Sequence, residues 1–111
     1  MKEFTEYLSK QIEAGRNDAL RLKEEGRRDD ADFARVRTNI YEVCRTVTDA
    51  LMRRPEAGAE AVKARFDRFR TEWSAALEKA RLHEDARNTV VGETKLKALD
   101  DVIAHFPEAG K

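Results

Sequence analysis

Apolar residues recur along this chain at alternating steps of four and three. Leu8, Ile12, Gly15, Ala19 and Leu22 form one run. Phe33, Val36, Ile40, Val43/Cys44, Val47 and Ala50/Leu51 form a second, and Val62, Phe66, Phe69, Trp73, Ala76 and Ala80 a third. Leu96, Leu99, Val102, Ile103 and Phe106 make a shorter fourth. At 3.6 residues per turn, each run becomes a narrow apolar stripe on one side of a helix, and the stripes must be buried against one another.

The residues between the stripes predict the breaks. The first helix is expected over Lys2 to Glu25, ended by Gly26 in the left-handed conformation that glycine adopts without a steric penalty. Asp29 or Asp30 then caps a second helix, expected over Asp30 to Arg53, because a short carboxylate accepts the free amide hydrogens of a first turn. Arg53 and Arg54 suit its negative C-terminal end. Pro55 opens a third helix over Glu56 to Leu82 or His83, since proline is tolerated at the first helical position. The fourth helix is expected over Thr89 to Phe106, ended by Pro107. Its start is the least determined boundary, because the stripe projected backwards meets Asn88, Gly92 and Lys95. A start on either side of Gly92 fits the pattern.

Short links between long helices give antiparallel neighbours. The expected fold is therefore an all-α, up-down-up-down four-helix bundle, with three long helices and a shorter or irregular fourth, forming one domain over residues 1–111. The first helix carries small residues at mid-length, Gly15 and Ala19, where the third carries Phe66, Phe69 and Trp73. Large against small across a shared core would explain a glycine inside a helix, a choice that costs about 1 kcal/mol relative to alanine. Tetratricopeptide repeats are excluded by the helix lengths and by the absence of a 34-residue period. Breaks after about three heptads favour a bundle over an extended coiled coil.

Composition narrows the function classes. Of 111 residues, 22 are basic and 22 acidic, so the formal charge is zero while 40% of the chain is charged. Such a chain has long solvated helix faces, and it lacks the basic excess of a dedicated nucleic-acid binder. No stretch is long and apolar enough for a membrane span, and Met1 to Glu6 has no apolar signal-peptide region. The one cysteine precludes an internal disulfide, and a cytoplasmic location is expected.

The candidate chemistry is sparse. Di-iron bundles need Glu-x-x-His pairs, but Ala80 and Val102 stand three residues before His83 and His105, so neither metal nor another cofactor is expected. Both histidines lie near helix ends and are expected in solvent, near C-terminal carbonyls. Cys44 falls between Ile40 and Val47 on the apolar face, a packing position rather than that of a nucleophile. No catalytic residues are identified. Arg65, Arg68 and Arg70 alternate with Phe66 and Phe69, but Asp67 and Glu72 interleave with them, as on a salt-paired face.

One constellation remains. Arg37, Tyr41 and Thr48 line one shoulder of the second stripe, Asn39 and Thr46 line the other, and Trp73 is placed to face them. An arginine beside aromatic rings suits an anionic or planar ligand, whereas a half-buried polar layer is the plain structural alternative. The sequence therefore favours a non-enzymatic protein-interaction or scaffold module. It would bind a protein partner or itself, as a homodimer, and neither nucleic acid nor membrane. The motive is the set of apolar residues off the stripes: Leu20, Met52, Leu82, Val90 and Val91. The alternative is a small-ligand binder or sensor with a pocket between helices near Arg37, Asn39, Tyr41 and Trp73.

Overall fold

A computed structural model describes residues 1–54 and 56–107. Its elements are α1 (Lys2–Glu24), α2 (Arg28–Met52), α3 (Ala59–Leu82) and α4 (Ala86–His105), with no strand among the described residues. They form an up-down-up-down four-helix bundle. α1 lies along α2 and α3 along α4, while α2 also packs on α4 and, over less of its length, on α3. The molecule measures 45 × 34 × 21 Å with a radius of gyration of 15.2 Å, against about 13 Å for a spherical domain of this length. It is a flattened bundle, with α2 touching all three other helices.

The boundaries differ from the expected ones in instructive ways. Gly26 has φ +78°, and the Arg27 amide donates to the Leu22 carbonyl across it, closing α1 with a left-handed residue as expected. α2 starts earlier than Asp29 or Asp30 would dictate. Its N-cap is Arg27, without a side-chain cap, and both aspartates lie inside the first turn, where their charge still favours the helix N-terminus. α3 starts at Ala59 rather than Glu56, after an extended Gly58, and Pro55 lies outside the described residues. The turn from α3 to α4 repeats the Gly26 device with Glu84 at φ 53° and the Asp85 amide donating to the Ala80 carbonyl.

α4 is continuous through Gly92 and begins at Ala86. Asp85 caps it: one carboxylate oxygen accepts from the Asn88 amide at 3.1 Å and the other from Asn88 Nδ2 at 2.7 Å. The helix stops because Phe106 precedes Pro107 and takes an extended conformation, ψ 131°.

The core runs through Phe4, Leu8, Ile12, Ile40, Tyr41, Cys44, Val62, Phe66, Leu99, Val102 and Phe106. At the end where α1 begins and α4 finishes, Phe106 meets the rings of Phe4 and Phe66 edge to face, with the Phe4–Phe106 centroids 5.1 Å apart, and Phe4 lies tilted on Phe66. On α2 the buried arc is wider than the stripe and displaced from it. Thr38, Tyr41 and Thr48 are buried, while Val36, Val43 and Val47 are only half-buried. A helix with three neighbours must bury its shoulders as well as its stripe. The threonines tolerate this because each hydroxyl donates to the carbonyl one turn back, Thr38 to Ala34 at 2.8 Å and Thr48 to Cys44 at 2.7 Å.

Gly15 is a close-approach position, but its neighbour is on α2 rather than α3. A Cβ built there would lie 2.1 Å from Thr38 Oγ1 and 3.1 Å from Thr38 Cβ. The large residues of α3 separate correspondingly: Phe66 is fully buried, whereas Phe69 and Trp73 are half-buried. The second close approach was absent from the sequence reading. A Cβ at Gly92 would lie 3.0 Å from Leu77 Cδ1 and 3.4 Å from Leu77 Cα, so α3 and α4 are nearly in backbone contact there.

Gly15→Leu is expected to destabilise the protein by about 1–3 kcal/mol through overpacking against Thr38, read as a lower denaturant midpoint. Gly15→Ala should be less damaging in a Thr38→Ala background than in wild type, because the atom at 2.1 Å is then gone.

Candidate functional site

Two features of the bundle carry chemistry, and they draw on different sets of helices that share α4. The first is a polar tie across α1, α2 and α4. The Tyr7 hydroxyl (α1) donates to Asp101 Oδ2 (α4) at 2.9 Å, and the Tyr41 hydroxyl (α2) donates to the same oxygen at 2.8 Å. Arg37, one turn before Tyr41, donates to the Tyr41 hydroxyl at 3.2 Å and lies 5.1 Å from its ring centroid. His105 stacks on Tyr7 with centroids 3.9 Å apart, and its Nδ1 is 2.8 Å from the Asp101 carbonyl oxygen.

The electrostatics follow from this geometry. The Tyr41 phenol is pushed up to about 12, first by burial and then by its bond to the carboxylate. Tyr7 is raised for the same reasons. The Asp101 carboxylate is held below its usual range, chiefly by the Tyr41 hydrogen bond, with Tyr7, His105 and Arg37 adding to the effect against desolvation. The phenols thus stay protonated donors and Asp101 stays an ionised acceptor at neutral pH. Both phenol hydroxyls are spent on Asp101, and no buried side-chain polar atom among the described residues lacks a partner. The arrangement joins three helices, with the exposed Arg37 guanidinium at its solvent edge.

The second feature is a groove of about 300 Å³ between the later half of α3 and the first half of α4. Trp73, Ala76, Leu77, Ala80 and His83 line it from one side, and Asn88, Val91, Gly92 and Lys95 from the other. Both sets recur at three- and four-residue steps, so each is one helix face. The contact between Leu77 and Gly92 turns α3 towards α4 here, and the Trp73–Ala80 part of the third stripe is left facing the groove. Trp73 stacks on Phe69, centroids 4.9 Å apart and planes 3° from parallel, with Lys95 Nζ 5.8 Å from the Trp73 ring centroid.

The four candidate residues therefore do not share one site. Arg37 and Tyr41 belong to the polar tie; Tyr41 is fully buried and Arg37 is exposed. Arg37 also lines a polar surface groove of about 390 Å³ with Gly15, Asp18, Asp30 and Lys97. Asn39 is exposed on α2. Trp73 belongs to the α3–α4 groove. Tyr7, Asp101 and the pairing of Leu77 with Gly92 were missed. Tyr7 and Asp101 are 94 residues apart, and only their sharing of Asp101 Oδ2 with Tyr41 marks them. Glycine at position 92 was the one available signal for the groove.

Cys44 is fully buried, and burial pushes its thiol up to about 12. His83 and His105 are both exposed near helix ends. Among the described residues, no group of three or more His, Cys, Asp and Glu side chains is placed to hold a metal ion. No helix is long and apolar enough to cross a membrane. Neither protein-family models, nor curated proteins, nor solved structures give a significant match to this chain.

Asp101→Asn is expected to lower stability at neutral pH by about 1–3 kcal/mol, because two phenols lose a charged acceptor. With a depressed folded pKa, the wild-type contribution is complete above the unfolded carboxylate value of about 3.9 and disappears as pH falls from there through the folded value. Chemical denaturation of both proteins across acid pH should therefore show the gap closing as pH falls. The Cys44 thiol should react with a disulfide reagent only as fast as the chain opens, so its labelling rate should rise steeply with denaturant.

Proposed function

We propose that the protein is a non-enzymatic interaction module that receives a helix of another protein in the groove between α3 and α4. The observation that carries this reading is the open groove whose floor is set by exposed Ala76, half-buried Trp73 and Val91, and buried Ala80 and Gly92. Small residues at Ala76, Ala80 and Gly92 allow a third backbone to approach at ordinary helix-packing distance, about 8–10 Å. Trp73 offers the broad apolar surface with a polar tip that anchors many protein interfaces. Helix-in-groove recognition uses anchors at one-turn spacing, which this lane matches.

The other titratable cluster is consistent with a non-enzymatic reading, since both of its phenols are already bonded to Asp101. A two-fold homodimer through the same face is less well supported. Such an interface sets each patch against its own copy, and Lys79 and Lys95 of the two subunits would share it. Of the off-stripe apolar residues singled out in the sequence, Leu20, Met52, Leu82 and Val90 are exposed and lie outside the groove, whereas Val91 is half-buried and lines it.

Sedimentation at micromolar concentration should give a monomer of 12.7 kDa, and concentration-dependent dimerisation would move the partner to a second copy. A photocrosslinking amino acid at Ala76, introduced in the cells that make the protein, should yield a discrete adduct with another protein. The same group at Glu13, exposed on α1, should not. Equal capture at both positions, or none at Ala76, contradicts the reading.

A further inference from the structure

We infer that the helix received by this groove is amphipathic and acidic, with carboxylates flanking a small apolar stripe. The inference rests on the helix-docking reading above and names the partner's chemistry. Its basis is an imbalance in the groove's charges. Asp85 is the one acid lining it, and both of its oxygens are occupied by Asn88 at the start of α4. Lys79 and Lys95 also line it, and among the described residues neither has a carboxylate within ion-pair distance.

The arginines nearby differ in this respect. Arg81 pairs with Glu78, Arg70 with Asp100, and Arg87 with Asp32. These neighbouring arginines are thus neutralised, whereas Lys79 and Lys95, like the other lysines among the described residues, are left for a partner's carboxylates. Lys95 Nζ also stands over the face of Trp73, so an acidic group meeting Lys95 sits beside the aromatic anchor. His83 adds a third basic group to the lining.

The length fits as well. Ten residue steps run from Trp73 to His83 at the C-cap of α3, about 15 Å at 1.5 Å per residue, which accommodates nearly three turns of a docked helix. An apolar stripe on that helix would lie over Ala76, Ala80, Val91 and Gly92. Carboxylates on its shoulders would reach Lys79 on one side and Lys95 on the other, because these lysines stand on opposite walls, α3 and α4.

Trp73 is the chain's only tryptophan, so its emission reports on the groove. The probes are three stapled helical peptides lacking tryptophan, identical in an alanine–leucine stripe and flanked by glutamate, glutamine or lysine. The glutamate peptide should shift Trp73 emission and bind at least about tenfold more tightly than the lysine peptide at low salt. That gap should close near 1 M salt, where the screening length falls to about 3 Å. Lys79→Glu with Lys95→Glu should reverse the ranking, and Lys79→Gln with Lys95→Gln should abolish it, in proteins whose helical circular dichroism is unchanged.

Equal binding of all three peptides, or a ranking that the lysine variants do not alter, overturns the acidic partner while leaving helix docking intact. No emission change with any peptide overturns both readings. Lysine-dependent binding to anionic phospholipid vesicles or to a single-stranded oligonucleotide, without binding of the glutamate peptide, overturns the inference in favour of that surface.

Discussion

The near-contact of α3 and α4 at Leu77 and Gly92 is the constraint on which the arrangement of this molecule depends. Glycine lets the two helices come this close without displacing Leu77, whose side chain would have to give by a few tenths of an ångström to admit a Cβ. That approach ties the later half of α3 to α4. The earlier half of α3, with Val62 and Phe66, still enters the core beside Phe4 and Phe106. One continuous apolar stripe is thereby divided between the bundle interior and an open groove.

The opposite side of the molecule is closed by different means. Gly15 lets α1 sit tightly on Thr38 of α2, and the Tyr7–Asp101–Tyr41 tie fastens both helices to α4. A carboxylate shared by two phenols is directional where apolar packing is not, so it fixes the register of α1 and α2 against α4. Arg37 extends this network to the surface, and His105 covers Tyr7. The two sides differ in their polar groups: those at α1, α2 and α4 take part in holding the bundle, while Lys79 and Lys95 along the α3–α4 groove are unpaired among the described residues.

Much of this architecture was legible in the sequence because helix period and helix punctuation are local. Stripes at three- and four-residue steps gave four helices, and Gly26 marked the first turn correctly. The errors share a cause, which is that side-chain partners are decided by helix orientation. Tyr41 and Thr48 read as shoulder residues because one stripe implies one neighbour, and α2 has three. Gly15 was rightly read as a close approach, but a periodicity cannot say whether the opposing helix is α2 or α3. The expectation that Trp73 faces Arg37 and Tyr41 fails for the same reason, and Gly92, which reads as a poor core residue, is a close approach of α4 to Leu77. Glu84, holding a left-handed turn without being glycine, carried no signal.

The third stripe reaches the edge of the core at Trp73, whose ring packs on the core with one side and lines an open groove with the other. Acrylamide quenching of the lone tryptophan in a dilute solution of the protein tests this placement most directly. The account expects a quenching constant intermediate between free indole and a fully buried indole. A constant at the buried limit, unchanged on further dilution, would mean that Trp73 belongs to the bundle interior, and the groove would no longer be an open seat for a partner.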